Sequence, residues 1–108
     1  MLKDKVQTKQ EIFEIVKDNE EKFAAFGVFA VGLFGSFVRE EATEESDVDL
    51  LVWINNNDWD NFCDLIEFAE GLFGRKTDVI TEGGITPDNG QTICKEVEYV
   101  FDNVPRTI

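Results

Sequence analysis

The sequence has no histidine, only two cysteines and only two prolines among its 108 residues. Without imidazole, the chain has no Ser-His or Cys-His nucleophile pair and lacks the histidine ligands on which most zinc sites depend. Any chemistry must therefore come from carboxylates, hydroxyls, Lys, Arg or a bound metal ion. Because Cys63 lies within an apolar helical pattern and Cys94 is its only possible partner, we expect free, buried thiols rather than a disulfide.

Basic residues and long hydrophobic runs are also scarce. Ten Lys and Arg stand against 23 Asp and Glu, giving a net charge of −13, which argues against direct binding to nucleic acid. A basic protein partner, or a nucleotide accompanied by divalent cations, fits this charge better, although acidity can also serve solubility alone. The chain has no run of 18 apolar residues and no signal-peptide core, which predicts a cytoplasmic protein with no membrane partner.

Hydrophobic residues make up 43% of the chain, which predicts a compact fold, and the length suits one domain over residues 1–108. The alternation of apolar runs predicts an α/β (α+β) domain with a small mixed sheet of three to four strands flanked by helices. In chain order, the predicted elements are a helix over 8–26, a strand over 28–34, a short helical turn over 36–42, a strand over 47–54, a helix over 59–73, a strand over 76–81, a flexible loop at 83–84, a weak helix over 86–95 and an edge strand over 97–101.

Two carboxylates open the second predicted strand. Asp47 and Asp49 are two residues apart, about 6.5–7 Å in a strand, and point to the same face, while the opposite face is wholly apolar. Their mutual repulsion would be relieved by divalent cations, and the spacing suits a two-metal site. Asp78 repeats the pattern in the third strand and would complete the site if the two strands are neighbours. Alternatively, an Asp-x-Asp pattern in so acidic a chain is simply solvated surface.

A glycine and a serine end the first predicted strand. Gly35 permits a tight bend, and Ser36 then offers an amide and a hydroxyl to phosphate oxygens. Arg39, one turn further on, could reach the same phosphates. The alternatives are an ordinary turn at 35–36 and an exposed Arg39 that pairs with Glu40 or Glu41.

The combination of Gly35-Ser36, ten further residues and Asp47-Val48-Asp49 resembles the G-S-x10-D-x-D motif of polymerase-β-type nucleotidyltransferases. The wider segment over residues 33–52 is similar to the minimal nucleotidyltransferase (MNT) proteins. The resemblance implies Mg²⁺ or Mn²⁺, as two ions, held by the catalytic residues Asp47, Asp49 and Asp78, with Gly35 and Ser36 on the triphosphate of ATP. Many MNT proteins have Arg-Gly-Glu where this chain has Arg39-Glu40-Glu41.

The resemblance also implies a partner and a reaction. MNT proteins often pair with a HEPN-domain toxin, as the antitoxin of a toxin–antitoxin system, and active members resemble enzymes that transfer AMP to a tyrosine of that toxin. Three other functions remain open from the residues alone. The domain could neutralise the partner by binding without catalysis, transfer nucleotides to a small molecule with a dimer supplying the missing substrate lobe, or serve as a purely structural acidic domain.

Overall fold

The fold is that of a computed structural model, which describes residues 5–56 and 58–104. Its elements are α1 (Lys9–Asp18), α2 (Glu20–Ala25), β1 (Val28–Phe34), β2 (Val48–Ile54), α3 (Trp59–Phe73), β3 (Thr77–Thr81), α4 (Pro87–Glu96) and β4 (Glu98–Asp102). The four strands form one sheet in the order β3-β2-β1-β4. β1 is antiparallel to β2 and β4, whereas β2 and β3 are parallel. The predicted α/β class with a mixed sheet is therefore confirmed.

The core lies between one face of the sheet and the first three helices. Alternate residues of β2 supply the apolar face that the sequence predicts, and all four are buried: Val48, Leu50, Val52 and Ile54. They pack with side chains from α1, α2 and α3, chiefly Ile12, Val16, Phe23, Leu65, Ala69 and Phe73. Burying large apolar side chains stabilises a domain by about 1.5–3 kcal/mol each. This packing fixes the direction of β2 and turns its other face, which carries Asp49, away from the core.

The predicted helix over residues 8–26 is wrong in one respect, because it is two helices. The capping box forms as predicted, with Thr8 and Glu11 bonding to each other's backbone N–H groups. Asn19 then interrupts the helix with φ −113° and ψ 19°, and its Nδ2 donates to the Ile15 carbonyl oxygen at 2.8 Å. Asn side chains compete with helical backbone hydrogen bonds in this way. A second short helix, α2, consequently begins at Glu20 and ends before Gly27.

Two further predictions need correction. Cys63 and Cys94 are free, as predicted, but both are exposed rather than buried, because α3 turns Leu65 to the core instead of Cys63. Gly83 and Gly84 belong to a short 3-10 turn rather than an irregular loop. No helix in the described part of the chain is long and apolar enough to cross a membrane.

The edge strand β4 is present, but one prediction from its alternating pattern, that Val97, Tyr99 and Phe101 share one face, is wrong. Tyr99 pairs with Gly32 and Phe101 with Val31, with an irregularity in register between them. Adjacent residues of β1 point to opposite faces. Phe101 therefore packs against the core, while Tyr99 lies on the other face and accepts a hydrogen bond from Trp53 Nε1 at 3.0 Å.

Candidate functional site

The acidic residues meet where β2 and β3 begin. The parallel register pairs Asp49 directly with Asp78, so the condition that the sequence left open, that the two strands are neighbours, is met. Asp78 and Asp47 both lie close enough to Asp49 to act on it electrostatically. The structure thus brings together all three acidic residues that the sequence selected.

The electrostatics of the cluster centre on Asp49. Burial, as the largest cause, and the negative charges of Asp78 and Asp47 together raise the pKa of Asp49 to about 6, against a smaller lowering by Arg39. The repulsion is therefore concentrated on the carboxylate that lies between the other two acids. A nearby cation would relieve it.

The donor set fits a hard divalent cation, because carboxylate oxygens are the ligands that Mg²⁺ and Mn²⁺ prefer. Within residues 5–56 and 58–104, however, no three acidic or Cys side chains are arranged as a ready-made metal cage. Mg²⁺ is usually bound by one or two carboxylates together with waters and substrate phosphates. The cluster therefore fits an ion that arrives with a phosphate ligand better than one held by protein alone.

The Gly35-Ser36 bend packs directly against this cluster. Phe34 pairs with Asp49 across the sheet, and Gly35 follows with φ +83°, in the left-handed region that favours glycine. A Cβ atom at Gly35 would overlap the Asp49 carboxylate. The Gly35 carbonyl then accepts from the backbone N–H groups of Val38 and Arg39 at 3.1 and 3.2 Å, which forms the predicted helical turn. No residue that the structure describes bonds to the Ser36 hydroxyl.

Glu96, at the end of α4, is a site residue that the sequence does not predict. Its carboxylate accepts a hydrogen bond from the Gly35 backbone N–H. It also accepts from Arg39 Nη1, at 3.1 Å to Oε1 and 3.0 Å to Oε2. The Arg39 Nε donates to Glu41 at 2.9 Å, so the predicted ion pair with Glu41 exists alongside the contact with Glu96. These contacts span 57 and 61 residues, and no local sequence pattern indicates them.

Arg75 is a second residue that the sequence does not predict. It is only 7% exposed, and its guanidinium lies 5.0 Å from the centre of the Phe37 ring. Its N–H groups donate over 2.7–3.2 Å to the backbone carbonyls of Val6, Thr43, Glu44 and Ser46. Arg75 thus fastens the loop that leads into Asp47 to the turn that contains Ser36.

Glu40 stands where many MNT proteins have glycine, and its backbone explains that preference. Its φ is 60°, which makes it the one non-glycine residue with positive φ in the part of the chain that the structure describes. The left-handed conformation costs an ordinary L-residue about 1–2 kcal/mol. The turn therefore keeps a glycine-like shape in spite of the substitution.

Comparison with known proteins shows which family the chain resembles. The model of the nucleotidyltransferase domain family matches residues 9–100. The protein adenylyltransferase MntA of Thermococcus cleftensis is 35% identical over 100 residues, which cover 86% of this chain and 96% of that protein. A solved structure assigned to the minimal nucleotidyltransferases superposes with a TM-score of 0.72 at 28% identity, covering 85% of this chain and 95% of the other.

A more distant solved structure shares the fold alone. It is a Shewanella oneidensis complex of an MNT antitoxin with a tri-AMPylated HEPN toxin, with a TM-score of 0.56 and 15% identity, covering 80% of this chain and 71% of that one. The family match spans the Gly-Ser bend, the three acidic residues and Arg39. This chain therefore belongs to the nucleotidyltransferase domain family.

Proposed function

We propose that the protein is a metal-dependent adenylyltransferase that transfers AMP from ATP to a tyrosine hydroxyl of a HEPN-domain toxin and so acts as its antitoxin. The observation that carries the proposal is the position of Asp49, which lies beside Asp78 and against Gly35. One carboxylate is thus next to both a potential metal ligand and a phosphate-binding bend. The similarity to the protein adenylyltransferase MntA of Thermococcus cleftensis supports AMP transfer to a protein.

The chain's own residues would bind the donor nucleotide at the bend. The free hydroxyl of Ser36 donates to a phosphate oxygen, and Arg39 contributes positive charge to the triphosphate. Asp47, Asp49 and Asp78 would hold Mg²⁺ or Mn²⁺. When bound, the ions neutralise the charge that develops on the transferred and leaving phosphates. Gly35 permits the approach by keeping any side chain out of the space between the bend and Asp49.

The reaction exchanges a phosphoanhydride bond of ATP for a phosphate ester bond to the acceptor. The tyrosine oxygen of the acceptor forms a bond to the α-phosphorus of ATP, and the bond from that phosphorus to the oxygen bridging to the β-phosphate breaks. Pyrophosphate leaves with the electron pair. The hydroxyl proton moves to the carboxylate of Asp78, which acts as the general base. Asp78 suits this role because its residue is exposed and so open to an incoming acceptor.

The acceptor's identity is supported by charge and by the family. A net charge of −13 attracts a basic protein and accelerates its encounter. The Shewanella oneidensis complex holds an MNT antitoxin and an AMPylated HEPN toxin.

We also propose a cytoplasmic location, because two exposed free thiols are typical of a reducing compartment.

The test is the mass of a HEPN partner after incubation with this protein, ATP and Mg²⁺. We expect a mass gain of one or more AMP units, and a rate about 10³-fold lower with D47N or D49N, because the lost metal ligand removes several kcal/mol of transition-state stabilisation. Asp64→Asn is the matched control, since Asp64 is exposed on α3. Modification at the wild-type rate by both D47N and D49N would refute the assignment.

Neutralisation by binding alone is a second candidate. It is favoured by the contacts of Arg39, whose guanidinium already bonds to two carboxylates rather than standing free for phosphate. A variant with D47N, D49N and D78N separates the two functions. If the triple variant neutralises the toxin in cells as well as the wild type does, binding suffices and AMP transfer is not the antitoxin activity.

A further inference from the structure

We propose that Glu96 is an internal competitor of the ATP triphosphate, and that it sets nucleotide affinity by occupying the Gly35 N–H and the Arg39 guanidinium. This inference rests on the proposed function, since it takes these two donors to belong to the phosphate subsite. It concerns a residue that lies outside the Gly-Ser and Asp-x-Asp motifs.

The contacts of Glu96 are those that a bound anion would make. One carboxylate oxygen accepts from the Gly35 backbone N–H, and both oxygens lie within 3.1 Å of Arg39 Nη1. The Glu96 side chain is only 15% exposed, so most of it is withdrawn from water. A backbone N–H beside a bend and an arginine fork are the donors that proteins use for phosphate.

Glu96 and a phosphate cannot hold these donors at the same time. A backbone N–H has a single hydrogen to donate, and the Gly35 N–H is already bonded to Glu96. The Arg39 guanidinium is occupied as well, because it pairs with both Glu96 and Glu41.

The position of Glu96 allows the exchange. It is the last residue of α4, and its side chain alone makes the contact with Gly35, 61 residues earlier in the chain. Binding of a triphosphate requires only that this side chain swing away from Gly35 and Arg39. The wild-type protein must break these bonds before it gains new ones, so its apparent affinity is lower than that of a protein without the competing carboxylate.

The experiment compares nucleotide binding by the wild type and Glu96→Gln. The probe is Mg²⁺ with an ATP analogue that has a methylene group between the α- and β-phosphates, titrated by calorimetry. E96Q keeps the size of the side chain but removes its charge, and an amide bonds to a guanidinium more weakly than a carboxylate does. We expect E96Q to bind the analogue about tenfold more tightly than the wild type.

Glu98→Gln is the matched control. Glu98 is two residues away, and its carboxylate pairs with Lys9 at 3.2 Å instead of contacting the bend. E98Q therefore removes the same unit of charge at a position that does not contact the bend. Its binding should stay within about twofold of the wild type, because an exposed charge in water contributes little. An equal gain in E98Q would mean that net charge, and not Glu96, is responsible, and would overturn the proposal.

A third comparison uses Arg39. In an R39Q background the main donor that Glu96 occupies is gone, so E96Q should improve binding by clearly less than it does with Arg39 present.

A separate NMR measurement uses the unmodified protein. The amide resonance of Gly35 should move when the Mg²⁺-bound analogue is added, because its N–H changes acceptor. This measurement does not depend on whether E96Q folds, and an unchanged Gly35 resonance at saturation would contradict the proposal.

The failure of this inference is distinguishable from failure of the proposed function. If the wild type binds the analogue and E96Q binds it no better or less well, Glu96 is not a competitor, while the nucleotide site stands. If neither protein binds the analogue at any concentration tested, the nucleotide site itself is refuted, and the role of Glu96 falls with it.

Discussion

The two halves of the site differ in what they need before a nucleotide can bind. In the acidic half, the parallel register of β2 and β3 pairs Asp49 with Asp78, and Asp47 lies nearby, so three like charges repel one another. The bend half, Gly35 and Ser36 with Arg39, already has an anion on its donors, because Glu96 bonds to Gly35 and Arg39. A cation would stabilise the acidic half, whereas the bend half must release the Glu96 carboxylate before it can bind another anion.

This difference explains why metal and nucleotide are expected to bind together. The acids carry repulsion that a metal ion relieves, but they do not form a cage on their own. In our proposal, the bend accepts phosphate only when Glu96 leaves. A metal–nucleotide complex meets both conditions at once, because its phosphate oxygens serve as metal ligands and also replace Glu96. Gly35 joins the halves, since its backbone contacts Asp49 on one side and Glu96 on the other.

The largest effect is expected from Gly35→Ala, which should damage both halves. A Cβ atom there would overlap the Asp49 carboxylate at a residue with φ +83°, so strain and overpacking together should cost about 3 kcal/mol of folding free energy. Urea denaturation measures the loss. Gly71→Ala is the control, because a Cβ at this exposed helical glycine meets nothing within 4 Å, and it should stabilise the protein by about 0.5–1 kcal/mol. A G35A variant as stable as the wild type would show that the halves are not in close contact.

Arg75→Gln should separate the halves by loosening the loop before Asp47. The substitution removes a buried guanidinium that serves four backbone carbonyls, so we expect a loss of about 2–3 kcal/mol in unfolding free energy. R75K should recover part of this loss, because an ammonium keeps the charge but not the planar fork. Lys76→Gln, at the exposed next residue, should change stability by less than about 0.5 kcal/mol. Equal stabilities of R75Q and K76Q would rule out the fastening role.

Asp49→Asn should have a smaller effect on stability, and of the opposite sign. Burial and the nearby Asp78 and Asp47 raise the pKa of Asp49 from 3.8 to about 6. Below pH 3.8 Asp49 is protonated in both the folded and the unfolded state, so it costs the folded protein no free energy of ionisation. The wild type then loses stability as the pH rises through 6, because the buried carboxyl group must ionise. Because the group is half exposed, the shift is discounted to about 1 kcal/mol. In metal-free buffer, D49N should be more stable than the wild type at pH 8 and equal to it at pH 3.5. An advantage of D49N that did not change with pH would contradict the electrostatic explanation.

The smallest effect is expected at Glu40, at the edge of the bend half. Glu40→Gly removes a left-handed strain of about 1–2 kcal/mol but raises the entropy of the unfolded chain, so the net gain should be about 0.5 kcal/mol. Glu40→Ala removes the same charge but keeps the Cβ atom, and should give no gain. Thermal melts of the two variants separate backbone strain from charge, and equal gains in both would assign the effect to charge.

The sequence was sufficient for the elements whose signals are local. β1 is a continuous apolar run closed by glycine, and α3 ends at Gly74, so both were predicted with their observed bounds. The division of the first helix was missed because the side chain of Asn19 bonds to the backbone of Ile15, which a helical hydrophobic stripe does not reveal. The face of Tyr99 was missed because a shift in register precedes it.

In the candidate site, likewise, short motifs are predictable from the sequence and long-range contacts are not. The Asp-x-Asp pair and the Gly-Ser bend are short motifs, and together they predict one site that contains Asp47, Asp49, Gly35 and Ser36; in the structure Asp49 lies against Gly35. The contacts of Glu96 and Arg75 bring together residues 57–61 and 29–69 positions apart. No periodicity or spacing encodes such contacts, and only the packing of α4 and the loop before β2 reveals them.

The central claim is that the acids and the bend form one site for a metal–triphosphate complex. Mn²⁺ binding followed by electron paramagnetic resonance tests it directly, with the α,β-methylene ATP analogue present or absent, in the wild type and in a D47N D49N variant. We predict weak Mn²⁺ uptake by the wild type alone, uptake at least roughly tenfold tighter with the analogue, and no such gain in the variant. Equal uptake by wild type and variant with the analogue present would contradict the account.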